Sequence, residues 1–92
     1  MPNMTYKVVA SAAGAPERDV PEDSVGGSTS AACVDYCRCA AAEVWPVGAS
    51  LRVLGRLADS RQGEWREHRA YVVEAGRVRR TDAGASSSKA RM

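Results

Sequence analysis

The sequence predicts a mostly β domain: a small antiparallel barrel, complete or partial, with a short helix, a flexible early segment and a polar tail. Three observations lead there. β-favouring segments at residues 5–10, 48–58 and 65–74 are separated by stretches rich in Gly, Pro and Ser. Within residues 48–58, alternation sets Leu51, Val53 and Leu57 on one face and Arg52 and Arg56, with Leu54, on the other. With 92 residues the chain can support one domain around one small core.

Each element follows in order. Residues 5–10 (TYKVVA) predict a short strand suited to an edge. Residues 11–29 hold two Pro, three Gly and the acidic group Glu17, Asp19, Glu22 and Asp23, which reads as a flexible loop with solvated carboxylates. Residues 30–45 (SAACVDYCRCAAAEVW) support two readings. The alanines favour a helix with Ser30 as N-cap and Pro46 as stop, while residues 33–39 also alternate as a strand. A strand over about 31–38 and a helical turn over about 39–44 reconcile them, with the all-helix reading left open.

Residues 48–58 (GASLRVLGRLA) predict a strand with Leu51, Val53 and Leu57 on one face and Arg52, Leu54 and Arg56 on the other. Gly55 inside it marks a bulge, a bend or a close backbone approach. Residues 59–64 suit a hairpin turn. Residues 65–74 return as a strand with Trp65, Arg69, Tyr71 and Val73 on one side and Arg66, His68, Ala70 and Val72 on the other. Residues 77–80 (RVRR) add a stub. The domain plan is therefore a short strand and flexible segment over 1–30, a β meander over 31–80 and a disordered tail over 81–92. Core candidates, with Val44, Val47 and Leu57 among them, concentrate after residue 44.

Residues 1–43 carry three basic and six acidic side chains, and residues 44–92 carry ten basic and five acidic. Eleven of the thirteen basic residues are Arg, whose planar fork suits phosphates and carboxylates. The cationic half points to anionic partners, or to a plain solvated surface written by an Arg-rich composition. The apolar run near the start is too short for a signal peptide, and no stretch approaches the ~20 apolar residues of a membrane span. Three cysteines, an odd number, then predict reduced thiols in a soluble intracellular protein with no membrane contact.

Three segments resemble the OB-fold of the replication protein A middle subunit and of the OB subunit of the telomere-capping CST complex. Residues 48–57 (GASLRVLGRL) resemble that family's fourth strand, and residues 66–76 (REHRAYVVEAG) its fifth. Residues 22–37 (EDSVGGSTSAACVDYC) are similar to its acidic turn and third strand. The match spans residues 22–76 in family order. The family's two early strands are represented only by residues 5–10, and its helix after the fifth strand has no counterpart, so the resemblance implies an incomplete barrel. It also implies a non-catalytic nuclear module that binds single-stranded DNA, a partner OB subunit, or both, in telomere capping or DNA replication at the chromosome. The alternative is a truncated or recently arisen small protein with no specific ligand.

OB-folds bind single strands through aromatic platforms and cations along the backbone. The candidates here are Trp65 and Tyr71 for stacking and Arg52, Arg56, Arg66 and Arg69 for phosphates. Trp65 and Tyr71 suit the core equally well. Cys33, Cys37 and Cys39, with His68, are the only soft ligands, but on a strand their spacing scatters the sulfurs, so no metal or other cofactor is expected and the cysteines read as small hydrophobes. No G-x-S-x-G, P-loop or dinucleotide fingerprint is present, and the sequence predicts no enzyme.

Overall fold

The computed structural model describes residues 3–58 and 63–81. Its strands are β1 (Met4–Ser11), β2 (Arg18–Asp19), β3 (Ser50–Leu57), β4 (Arg66–Glu74) and β5 (Arg77–Arg80). They form one antiparallel sheet in the order β2-β1-β3-β4-β5. The mostly β, antiparallel class is thus as expected, in its incomplete form. The sheet is open, with β2 and β5 at its edges and β4 paired to β3 and β5. The predicted tail beyond Thr81, whose N–H donates to the Ala70 carbonyl at 2.7 Å, and most of the predicted 59–64 turn lie outside the described residues.

Strand β1 is interior, not an edge, because the Gly- and Pro-rich segment after it folds back along its free side. Val20 N–H donates to the Val8 carbonyl at 2.8 Å and Tyr6 N–H to the Ser28 carbonyl at 2.8 Å. Val20 is buried, and residues Glu22–Val25 close the return as a short helix, α1. Backbone pairing thus orders a segment whose composition reads as loop.

Residues 30–44 are helical throughout, which corrects the strand expected over 31–38. The run comprises α2 (Ser30–Asp35), a π-helical turn (Tyr36–Ala40) and α3 (Ala41–Val44). Thr29, not Ser30, is the N-cap: its Oγ1 accepts from the Ala32 N–H at 3.1 Å. A strand would have placed Asp35 on one face with Cys33 and Cys37, burying a carboxylate. The helix leaves Asp35, Arg38 and Cys39 in water while Cys33, Tyr36, Cys37 and Ala41 are buried. The i+4 row at 33, 37 and 41 drifts about 40° per step around a straight α-helix of 3.6 residues per turn, and the wider π turn takes up that drift.

This helical run covers one sheet face. Val8 and Ala10 of β1, Leu51 and Val53 of β3 and Tyr71 and Val73 of β4 meet Cys33, Tyr36, Cys37 and Ala41 in a single core. Each fully buried Val or Leu contributes roughly 1.5 to 3 kcal/mol. Trp45 packs at the rim, with its Nε1–H donating to the Tyr36 hydroxyl at 2.9 Å. The core is therefore shared between the two halves of the chain and not concentrated after residue 44. Val44, Val47 and Leu57, expected inside, are 63%, 65% and 46% exposed: Val44 is the last residue of α3, Val47 follows it in the connection to β3, and Leu57 lies at the end of β3.

The register between β3 and β4 shifts at one point. Val53 faces Arg69 and Leu54 faces Glu67, so His68 is an extra residue in β4, a β-bulge. A one-residue insertion reverses the faces of everything before it. Trp65 and Tyr71, expected side by side, consequently lie on opposite faces: Tyr71 is core at 4% exposure and Trp65 is on the outer face.

Gly55 sits opposite Tyr6, and a Cβ there would fall 2.6 Å from Tyr6 Cε2. The ring occupies the space that the missing side chain leaves. Gly55→Ala should therefore lower stability by about 1 to 3 kcal/mol in urea denaturation, despite the better strand propensity of Ala. In a Tyr6→Ala background the same change should cost at least about 1 kcal/mol less, and equal costs in both backgrounds would refute the close approach.

Candidate nucleic-acid interface

The outer sheet face has no helix over it, and its own long side chains cover it. Val9 and Leu54 point outward yet are 4% and 7% exposed. In register they neighbour Arg52 and Asp19, and Lys7 and Glu67, and the aliphatic stems of Arg52, Lys7 and Glu67 shield them. Charge pairing fixes several of these side chains. Arg52 makes a two-pronged contact with Glu17, Nε to Oε2 and Nη2 to Oε1, both 2.8 Å, and a longer one to Glu67 at 3.5 Å. The Arg52 guanidinium holds the Glu17 carboxyl below its usual range, and Glu17 in turn raises Arg52. Arg77 and Arg79 both close on Glu74, at 3.0 and 2.6 Å, and hold its carboxyl low.

Trp65 is different. Its ring has the Arg56 guanidinium 4.4 Å and the Lys7 ammonium 4.7 Å from its centroid. Lys7 also reaches Asp19 at 3.2 Å. Arg56 has no hydrogen bond or ion pair with any described residue, and its Nε is a buried donor left without a partner. Such an orphan costs on the order of 1 to 3 kcal/mol, which the cation–π contact offsets in part. Arg66 likewise has no hydrogen-bond or ion-pair partner among the described residues.

Both unpaired arginines line a cavity of about 400 Å³ at the end of the sheet where β1 begins, β3 ends and β4 begins. That volume lies within the ~300 to 1,000 Å³ of small-ligand sites. Its wall includes Tyr6 and His68, whose rings lie 5.2 Å apart at 51°. The bulge turns His68 inward, and a 3.1 Å hydrogen bond between its Nε2 and Ser30 Oγ ties it to the start of α2. Gly55 leaves room for the Tyr6 ring in the same wall.

Of the six residues the sequence singles out, the structure brings Arg56 and Trp65 together on the outer face, while Arg66, paired with Gly55, follows on the face that carries Tyr6. Arg52 stands on the same outer face but is committed to Glu17 and Glu67. Arg69 donates to the His68 carbonyl at 3.1 Å, on the core side of the bulge. Tyr71 is core and is removed from the stacking candidates. Trp65 is engaged by two cations, which makes it the support of a cationic cluster. The sequence reading missed Lys7, Tyr6 and His68 as members of the site. Lys7 was accessible to it, since alternation in TYKVVA sets Lys7 opposite Tyr6 and Val8. Nothing local signals that Tyr6 and His68 meet.

Comparison with protein-family models, curated proteins and solved structures finds no match to this chain. The OB resemblance thus rests on the quoted segments, and the one read as a third strand is helical from Ser30 onward. No helix among the described residues is long and apolar enough to cross a membrane.

The cysteines do not converge. Among the described residues no three His, Cys, Asp or Glu side chains are grouped to hold a metal. Burial raises the Cys33 thiol and pushes Cys37 up to about 12, while the exposed Cys39 is raised by donating to Asp35 Oδ1 at 3.5 Å. The folded state therefore holds the Cys37 proton over a pH range in which the unfolded chain has released it. That contribution to stability is complete below the ordinary thiol pKa and is lost as pH rises towards about 12. Iodoacetamide at about pH 8 should label Cys39 in the folded protein, and Cys33 and Cys37 only on unfolding. Asp35→Asn should speed Cys39 labelling, read by mass spectrometry. Labelling of Cys37 as fast as Cys39 would contradict this packing.

Proposed function

We propose that the protein is a non-catalytic module that binds single-stranded nucleic acid, with DNA as its reference ligand. A backbone phosphate lies on Arg56, and the adjoining base enters the cavity beside Tyr6 and His68. The observation that carries this reading is Arg56, an arginine whose guanidinium rests on an aromatic ring and has no carboxylate partner among the described residues, at the wall of a cavity. A phosphate oxygen accepts from the Arg56 guanidinium, and a flat ring suits walls formed by Tyr6, Met4 and Leu57. Stacking in such a setting contributes on the order of 1 to 3 kcal/mol per base.

Arg52 has a lesser role here than its place in the sequence suggests. A phosphate would have to displace a two-pronged carboxylate, so the Glu17–Arg52 pair acts as a fixed neutral patch beside the site. The partner OB subunit, the nuclear location and the telomere or replication setting come from the resemblance alone and lie outside this proposal.

Fluorescence anisotropy with a labelled single-stranded oligonucleotide tests it. Binding should appear at low salt and weaken as salt rises. Arg56→Ala should weaken it and reduce the slope of log K against log salt by about 0.7, one single-strand phosphate contact. Arg52→Ala should leave that slope nearly unchanged. Absence of binding at low salt, or a larger loss from Arg52→Ala than from Arg56→Ala, would overturn the assignment.

A further inference from the structure

Residues 44–47 leave an apolar surface uncovered, with Val44, Pro46 and Val47 all exposed. Arg18 flanks it and pairs with Ala10 late in β1, whereas Arg56 pairs with Thr5 near its start, so this surface lies away from the cavity. Its backbone is fixed. Gly48 N–H donates to the Val73 carbonyl at 2.8 Å and Ala49 N–H to the Pro46 carbonyl at 3.1 Å, while the Trp45 indole is held by the Tyr36 hydroxyl. The turn after β1 packs beside it: a Cβ at Gly48 would lie 3.6 Å from the Ala13 Cβ. A groove of about 290 Å³ runs there, with Ala12, Pro16, Arg18 and Trp45 in its wall.

Two unpaired charges border the valines. The Arg18 guanidinium lies 5.6 Å from the Trp45 ring centroid and has no hydrogen bond or ion pair with a described residue. Glu43, next to Val44 in α3, is exposed, and its carboxylate likewise has none. Glu17, also in the groove wall, is already committed to Arg52. We infer that this face is a self-association surface, on which a second copy of the chain docks across a two-fold axis and Arg18 of each protomer meets the partner's Glu43. A two-fold contact uses the same patch on both sides, so the patch must be its own complement. Aliphatic side chains with one cation and one carboxylate satisfy that condition. A nucleic acid would find a single arginine here with a carboxylate nearby, and an acidic peptide would meet Glu43. The β5 edge is the poorer route to a dimer, because pairing it with its copy would bring Arg77, Arg79 and Arg80 of both chains together.

Sedimentation equilibrium of the full chain at low salt tests this. A monomer–dimer equilibrium should appear between about 10 μM and about 1 mM, the range expected of a small contact face. Each Arg18–Glu43 pair occurs twice in the dimer, so Arg18→Glu or Glu43→Arg alone should raise the dissociation constant at least about tenfold. Combining the two exchanges the signs and should return the constant to within about threefold of the native value, a recovery that loss of structure would not give. Val47→Asp, at an exposed position, should abolish the dimer. A monomer at every concentration, a double variant no tighter than either single one, or a native-like dimer in Val47→Asp overturns the inference.

Discussion

The structure depends on how little this chain has available to cover its sheet. The run from Ser30 to Val44 is short, and its buried side chains are two cysteines, a tyrosine and an alanine, so it can seal one face of β1, β3 and β4 and no more. The other face must then exclude water from Val9 and Leu54 without a second layer. It does so with long charged side chains whose stems lie over the apolar positions and whose heads stay wet. Once charged heads are held side by side, their mutual arrangement follows: Arg52 with Glu17, Arg79 with Glu74, Lys7 with Asp19.

The candidate site is where that arrangement stops pairing charge with charge. Arg56 rests on Trp65, and Trp65 is on the outer face only because His68 bulges out of register. The same bulge turns His68 towards Tyr6 and Ser30, and Gly55 gives Tyr6 its room. Three local irregularities thus fall within one end of the sheet: a strand glycine, an extra residue and two arginines with no carboxylate partner among the described residues. Regular alternation would have used these positions for cross-strand pairing. Instead they border an open volume.

Several elements were legible from local chemistry. The alternation of Leu51, Arg52, Val53 and Leu54 fixed both the strand and its cationic face, and Gly55 was rightly a point of close approach, although by a side chain and not a backbone. The stub at 77–80 was legible as well, since Gly76 at φ +75° permits a tight return from Glu74 to Arg77. Residues 30–44 were ambiguous because alanine and cysteine fit either period, and only the cost of burying Asp35 against the sheet decides for the helix.

Local pattern alone sufficed for a mostly β class, for strands β1, β3, β4 and the β5 stub, and for cations on one face of β3. These are short-range properties of a backbone with period two and of side chains that either shed or keep water. Long-range pairing sets the rest: the sheet stays open, β1 is interior, and Trp65 and Tyr71 part to opposite faces. Those outcomes depend on register and on which distant segment reaches a strand first. One extra residue at His68 inverts a face, and no local pattern in REHRAYVVE records which residue will be the extra one.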